Sequence, residues 1–360
     1  MTAPHSKPVA SDQGPNPNRN DFQAPEDLRA GETLMQMING FQVTQALYVA
    51  ATLGIAELLK DRFRTAPDLA EATHTHAPSL YRLLRALASV GVVTEDEAGR
   101  FGLTPLGQLL RPGVPGSLRG WALLMGGPSG WPTWEHLLYS VQTGESAFRH
   151  NHGMSVWEYR EQHPEANAIF NEAMLSLSAL EVDAIVRAYD FSRITTLVDV
   201  AGGHGALLAG VLRANPHMQG ILFDRPHVVE GARAVLEAAG VADRCRLVAG
   251  DMFDSVPSGG DAYMLKSILH DWSDDRSVAI LQTCRTSMPP HAKLLLGERV
   301  IPPGNMAHPG KFMDLHMLVA VEGRERTAAE YEALLAAGGF TLTGIIATGR
   351  PMSIIEGVAR

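Results

Sequence analysis

Apolar residues recur every three or four positions through "LMQMINGFQVTQALYVAATLGIAELL", and from Thr33 onward they predict a helix. That stretch is apolar on more than one side, which suits packing against a second subunit better than a lone surface helix. Residues 65–110 read as helix, turn, helix and short hairpin. Thr65 and Pro67 suit one helix start, Pro78 and Ser79 begin the next, and Gly91 ends it. "VVTEDEAGRFGLT" predicts two short strands around a polar turn containing Gly99, completing a winged-helix pattern. Residues 113–190 read as mostly helical, with Trp121, Trp131, Trp134 and Trp157 set between glycine-rich turns. After Phe191 the rhythm changes to short β-rich runs: "TTLVDV", "GILFD", "CRLVAGD", "DAYMLKSIL", "KLLLGERV", "FTLTGIIAT" and "MSIIEGVA". Helical stretches separate the first five, which predicts a parallel, doubly wound α/β sheet. The last two lie close together and are expected to pair antiparallel.

Composition narrows the class. A chain of 360 residues is comfortable for two domains, and 45% apolar with 19% charged residues can bury a large core. Residues 1 to about 28 are polar and proline-rich, so a disordered tail is expected there. The net charge of -9 offers no global basic field for nucleic acid or anionic membrane. A DNA-reading winged helix needs a basic face; Arg82 and Arg85 are opposed by Glu95, Asp96 and Glu97 at the wing tip. A scaffold or dimerisation role is therefore expected for this unit. Cys245 and Cys284 are too few for a disulfide framework and lack zinc-ligand spacing. With no membrane-spanning run and no signal-peptide core, a cytoplasmic location is expected.

The candidate chemistry begins at "LVDVAGGHGALLAGVL", a strand, a glycine-rich turn and a helix. Such a turn lets backbone approach a ligand while the helix start offers unpaired N–H groups. A dinucleotide fingerprint fails, because counting from Gly203 the third glycine falls at Leu208. An adenosyl ligand without phosphates instead needs an acid after the second strand for the ribose, and Asp224 is there. It also wants an acid near the adenine, which "AGDMF" supplies as Asp251, with Met252 and Phe253 to sandwich the ring. Asp199, Asp224, Asp251 and His270 all fall at or just after strand ends, where open α/β sheets bind ligands.

The ordered segments "LVDVAGGHG", "FDRPHVVEGA", "GDMFDSVP", "LKSILHDWSDD", "LGERVIP" and "GRERTAAEYEALLAAGGF" resemble one family. It is the S-adenosylmethionine-dependent O-methyltransferases of the caffeate and hydroxyneurosporene type, which includes many bacterial enzymes of antibiotic and pigment pathways. The resemblance covers roughly residues 35–358 and implies that the winged-helix-like unit serves homodimerisation. It implies S-adenosylmethionine as cofactor, contacted by Gly202, Asp224, Asp251, Met252, Phe253 and Lys266, with Lys266 along the cofactor wall. One departure is Ala201, where the family usually has the first of three glycines; an alanine is tolerated if its φ is negative.

By the same resemblance His270 is the general base, with Glu298 and Glu325 flanking it. The methyl of a sulfonium is already activated, whereas a phenol of pKa ~10 is mostly protonated at neutral pH. An imidazole of pKa ~6.5 can take that proton as the oxygen attacks, and a carboxylate fixes its tautomer. "NAIFNEAM" matches the family's acceptor-lining helix and points to Phe170 and Met174, while "DLHMLVAVEG" offers His316 and Met317 for a flat aromatic guest. Asp271, Asp274 and Asp275 are expected to be surface or capping acids, "HNHG" at 150–153 a loop, and no metal is expected.

The expected architecture is α/β: a doubly wound, Rossmann-like methyltransferase sheet, mostly parallel with an antiparallel last strand, behind a helical, winged-helix-like dimerisation domain. The expected boundaries are a tail at 1–28, the dimerisation domain at 29–112, helices lining the acceptor pocket at 113–190 and the cofactor-binding domain at 191–360. The expected activity is methylation of a hydroxyl, phenolic by expectation, on a small aromatic secondary metabolite, with no nucleic-acid or membrane partner. Two competitors stand beside it: N- or C-methylation on the same fold, driven mainly by proximity, and a ligand-sensing winged-helix regulator without chemistry. A dehydrogenase is a more distant one.

Overall fold

The structure, a computed structural model, describes residues 25–360. The tail expected at the N-terminus lies outside the described residues except at its end, where the helix Pro25–Thr52 already begins. Proline suits a first helical turn, because its missing N–H would find no partner there anyway. The described residues divide into two units, with the boundary between Gln45 and Ala46. In the first, Leu34, Met35, Met37, Ile38, Phe41 and Val43 are exposed, a run of apolar side chains on a helix.

In the second unit the winged-helix pattern is realised. Thr65 and Asp68 form a reciprocal capping box at the start of the helix Ala66–Thr73. The next helix is Ala77–Ser89, with Gly91 beyond it at φ +76°. Strands β1 (Arg64–Thr65), β2 (Val93–Glu95) and β3 (Arg100–Leu103) form a small antiparallel sheet in the order β1-β3-β2. Leu69, Leu84, Leu87 and Phe101 are fully buried beneath it. At the wing tip Asp96 accepts the backbone N–H groups of Ala98 and Arg100 and pairs with the Arg100 guanidinium.

The large sheet contains β4 (Thr196–Val200), β5 (Gln219–Asp224), β6 (Cys245–Ala249), β7 (Ala262–Lys266), β8 (Lys293–Arg299), β9 (Phe340–Ala347) and β10 (Met352–Ala359). Its order is β6-β5-β4-β7-β8-β10-β9. The first five strands are parallel, and β10 runs antiparallel to both β8 and β9. Apolar side chains on the two faces feed separate cores: Leu197 and Leu295 on one side, Val198, Leu294 and Leu296 on the other. Burial on both faces explains the nearly continuous apolar runs of these strands. The strand order reverses beside β4, so the crevice expected of such a sheet opens at the carboxyl ends of β4 and β7.

Two backbone features shape that crevice. The helix Arg119–Gly126 lies so close to the helix Pro164–Ala188 that a Cβ on Gly120 would fall 2.6 Å from the Ala173 backbone nitrogen. Ala201, just past β4, has φ +54°, so the condition of a negative φ, under which an alanine would be tolerated here, is not met. The left-handed region crowds an L side chain, so Ala201 holds strain that glycine would not.

Gly120→Ala is expected to cost roughly 1–3 kcal/mol by overpacking this helix pair, seen as a lower thermal midpoint. Ala201→Gly is expected to gain up to about 1 kcal/mol, the relief of left-handed strain less the added freedom of the unfolded chain. A thermal midpoint that falls for Ala201→Gly would contradict the strain.

Candidate active site

The glycine turn is built by exclusion. A Cβ on Gly202 would lie 2.5 Å from Leu222 Cδ1 and 2.6 Å from the Asp199 carboxylate, so only glycine fits. Gly203 and Gly205 sit at positive φ, and Gly205 precedes the helix Ala206–Ala214. The Gly203 N–H donates to the Asp224 carboxylate at 2.8 Å, which ties the turn to the end of β5. Burial pushes the Asp224 carboxyl up, against the pull of the Arg225 and Gly203 N–H groups. Asp251 accepts the Phe253 N–H at 2.9 Å and the Arg225 guanidinium at 3.1 Å, so Arg225 joins the loops after β5 and β6. Asp199 is buried on β4, its Oδ2 has no hydrogen-bond partner among the described residues, and burial lifts its pKa to about 7.

The predicted cofactor residues Gly202, Asp224, Asp251, Met252, Phe253 and Lys266 thus gather at the strand ends, with differences of detail. Phe253 meets Trp272 edge-to-face at 4.9 Å, and the Arg276 guanidinium lies 3.6 Å over its ring. Met252 and Phe253 are both packed partly against the core, so one sandwiching face is already engaged. Lys266 Nζ pairs with Glu181 at 3.2 Å; Glu181 reaches Arg299 at 3.3 Å, and Arg299 lies 3.8 Å from Glu325. This charge chain joins the end of β7 to the histidine cluster.

His270 sits on the short 3-10 turn Leu269–Asp271, after Ser267 at φ +55° turns the chain away from β7. The turn is fixed from several sides. Glu298 Oε1 accepts the N–H groups of Ile268 and Leu269 at 3.0 and 2.9 Å. The fully buried Arg326 donates to the carbonyls of Leu269 and Trp272 and to the Asp274 carboxylate. The Arg324 N–H donates to the His270 carbonyl, an approach possible only because position 323 is glycine; a Cβ there would lie 2.0 Å from that carbonyl oxygen.

The imidazole Nδ1 and Glu325 Oε1 are 3.0 Å apart, and the Glu325 backbone N–H is held by Asp314 at 2.8 Å. Glu298 and Glu325 are fully buried and His270 is 7% exposed. Of the two expected flanking acids, only Glu325 bonds the ring; Glu298 sits in the same cluster but holds the turn's backbone, leaving Oε2 unpartnered. Asp271 is a correction. It is no surface acid: its side chain is 17% exposed and its Oδ1 lies 3.5 Å from His270 Nε2. Burial opposes charge on the ring, but Asp271, Glu298 and Glu325 overcome it and raise the His270 pKa to about 9. Burial likewise pushes Glu298 up to about 7, with His270 pulling the other way. Donor atoms of His270, Glu298 and Glu325 lie within 4.8 Å of one another, as metal ligands would. Nδ1 and one oxygen of each acid are engaged in hydrogen bonds, while Oε2 of Glu298 and Oε2 of Glu325 are buried with no partner among the described residues.

On the other side of His270 the walls are aromatic. Trp157 stacks near Trp272 and meets Phe170 edge-on. Arg160, on the helix Val156–Gln162, lays its guanidinium 3.4 Å over Phe170 and 4.9 Å over Trp157. His316 stacks on Trp134, whose indole N–H donates to Nδ1 at 3.2 Å; Trp121 meets its edge. Met174 is partly buried, and Met317 is buried in the helix Gly310–Val321. The "HNHG" segment is no loop: residues 147–152 are helical and Gly153 is its left-handed cap. Sequence reasoning missed Arg160 and Glu181, which stand in none of the motif segments, and gave no role to Trp134, Asp314 or Arg326, although Asp314 lies in the "DLHMLVAVEG" segment and Arg326 in the "GRERT" segment. A hollow lined by Arg62, Phe63, Arg64, Asp68, Glu71 and Ala72 belongs to the winged-helix part and shares no residue with this site.

Relatives carry the same architecture. Residues 134–341 match the model of the O-methyltransferase domain, and residues 35–112 match that of the O-methyltransferase dimerisation domain. The chain is 48% identical to the phenazine O-methyltransferase PhzM of Lysobacter antibioticus, over 92% of this chain and 98% of that protein. The solved structure of LaPhzM superposes with a TM-score of 0.89 at 47% identity, covering 92% of this chain and 99% of that one. A methyltransferase of calicheamicin biosynthesis, in its SAH-bound (S-adenosylhomocysteine) form, gives a TM-score of 0.80 at 40% identity, covering 92% and 99%. With a glycine turn, acids at successive strand ends and a buried His–Glu pair in place, the chain belongs to the O-methyltransferase family, as a dimerisation domain followed by a catalytic domain.

Proposed function

We propose that this methyltransferase carries a methyl group from S-adenosylmethionine to a hydroxyl of a small aromatic acceptor, with His270 as general base. The observation that carries this reading is the buried His270–Glu325 pair, 3.0 Å apart, on a turn beside the strand-end crevice. The donor fits the residues at hand. Gly202 lets the turn pack closely on Leu222 and Asp199; Asp224 and Asp251 offer carboxylates at successive strand ends, and Asp199 keeps a buried oxygen with no partner among the described residues. Asp224 would take the ribose hydroxyls, while Asp251, Met252 and Phe253 would border the adenine, with Lys266 and its partner Glu181 nearby.

S-adenosylmethionine supplies an electrophilic methyl on a positively charged sulfur, so the chain's task is to bring up a nucleophile and remove its proton. Glu325 accepts the Nδ1 proton and leaves Nε2 to receive the acceptor's proton. The imidazolium so formed is favoured by Asp271, Glu298 and Glu325. Phe170, Met174, His316 and Met317, with Trp157 and Trp134, bound the acceptor and align its oxygen for in-line attack. The exposed apolar residues from Met35 to Val43 lie at the start of the dimerisation match, and we assign them to a homodimer. No described helix is long and apolar enough to cross a membrane, both cysteines are free, and we place the enzyme in the cytoplasm, in secondary metabolism such as antibiotic assembly.

One observation favours a second reading. An imidazole with its pKa raised to about 9 is mostly protonated at neutral pH, which suits methylation of an aromatic nitrogen or carbon by proximity alone. The two readings separate experimentally. If His270 is the base, His270→Ala lowers turnover by about 10²–10⁴-fold while S-adenosylhomocysteine binding, measured by calorimetry, is kept. Unchanged turnover removes the base role. The neutral ring gains above its folded pKa, so kcat/KM is expected to rise with pH toward about 9; a profile flat from pH 6 to 9 would count against it.

A further inference from the structure

Arg160 is the cation near the site that has a buried donor without a partner among the described residues. Its Nη1 is shielded from solvent and has no hydrogen-bond partner among the described residues. Arginine carries five N–H donors and no acceptor, so the aromatic faces of Phe170 and Trp157 can attract its charge but cannot receive its in-plane N–H groups. A shielded donor on a charged group costs more than a neutral one when left unpaired. Burial lowers the guanidinium's pKa to about 9, which still leaves it charged at neutral pH.

Its surroundings place it on the acceptor side. Arg160 is attracted by Asp271, whose Oδ1 faces His270 Nε2 at 3.5 Å, yet no hydrogen bond joins the two. It also acts on His316, which burial keeps neutral, its pKa down at about 4. Because His316 Nδ1 accepts the Trp134 indole N–H, the ring's own proton sits on Nε2 and adds a neutral donor. The wall facing the base therefore offers a planar cation and a neutral N–H donor between flat rings.

We propose that Arg160 is an anchor for a carboxylate on the aromatic acceptor, making the substrate class a hydroxylated aromatic acid. A carboxylate matches the planar guanidinium fork and supplies the acceptor atoms that Nη1 lacks. Phe170 and Trp157, set edge-to-face, confine the guanidinium from two sides, so an acid substituent bound to it also fixes which hydroxyl faces His270. This assignment rests on the methyl-transfer reading above.

The test uses the full-length protein with a panel of hydroxynaphthoic acids, their carboxamides and the parent naphthols. Binding is measured by calorimetry in the presence of S-adenosylhomocysteine, and turnover with S-adenosylmethionine. At least one acid is expected to bind about 10–100-fold more tightly than its amide, with the advantage in KM rather than kcat. In Arg160→Met the acid-to-amide ratio collapses toward one. Arg160→Lys, which keeps the charge but not the fork, retains part of the preference. No acid preference in the unaltered protein, or a preference that survives Arg160→Met, overturns the anchor while leaving methyl transfer standing. Arg160-dependent acid binding without transfer to any hydroxyl supports the anchor and sinks the hydroxyl-methylation reading instead.

Discussion

The turn from Ser267 to Trp272 is buried but belongs to no strand or long helix, so its backbone groups must find partners elsewhere. Glu298 accepts two of its N–H groups, Arg326 donates to two of its carbonyls, and the Arg324 N–H takes the carbonyl of His270 itself. These partners come from the end of β8 and from the segment after the helix Gly310–Val321. The segment that satisfies the turn is also the one that delivers Glu325 to the imidazole. Scaffold and chemistry are thus one set of bonds. Loosening the 323–326 segment would free the backbone and remove the ring's orienting acid together.

Electrostatics follows from that arrangement. Three carboxylates and one imidazole share a site nearly closed to water, where opposite charges interact strongly and each isolated charge is costly. The ring resolves this by holding its proton more tightly, and Glu298 by losing its own less readily. Arg299 extends the network: it lies near Glu325, pairs with Glu181, and through it meets Lys266 at the end of β7. A change of charge in the glycine-turn crevice therefore has a paired route toward His270.

How much of this could be read in advance depended on the kind of signal. The parallel strands announced themselves because burial on both faces demands apolar runs, and the last two strands because their short connection dictates antiparallel pairing. That β10 inserts between β8 and β9 left no local mark. That Asp224, Asp251 and His270 would fall at or just after strand ends was legible from the strand pattern, and such ends are where open α/β sheets bind ligands. Glu325 stands 55 residues from His270 and was reached only through a family resemblance. Arg160 was illegible for a different reason: an arginine on a short helix reads as a surface residue, and only the tertiary packing of Trp157 and Phe170 turns it inward.

Two strained residues flank the crevice. Ala201 follows β4 and Ser267 follows β7, the two neighbouring strands at the point where the sheet order reverses, and both adopt left-handed φ values that L side chains avoid. Each conformation costs roughly 1–2 kcal/mol and persists because its neighbours leave no alternative. Ser267 is pinned by its N–H to the Gly297 carbonyl, and the turn after Ala201 by Gly202 to Phe223 and Gly203 to Asp224. The first bend leads into the glycine turn and the second into the 3-10 turn that carries His270, so the strain falls where the chain leaves the sheet for the candidate site residues.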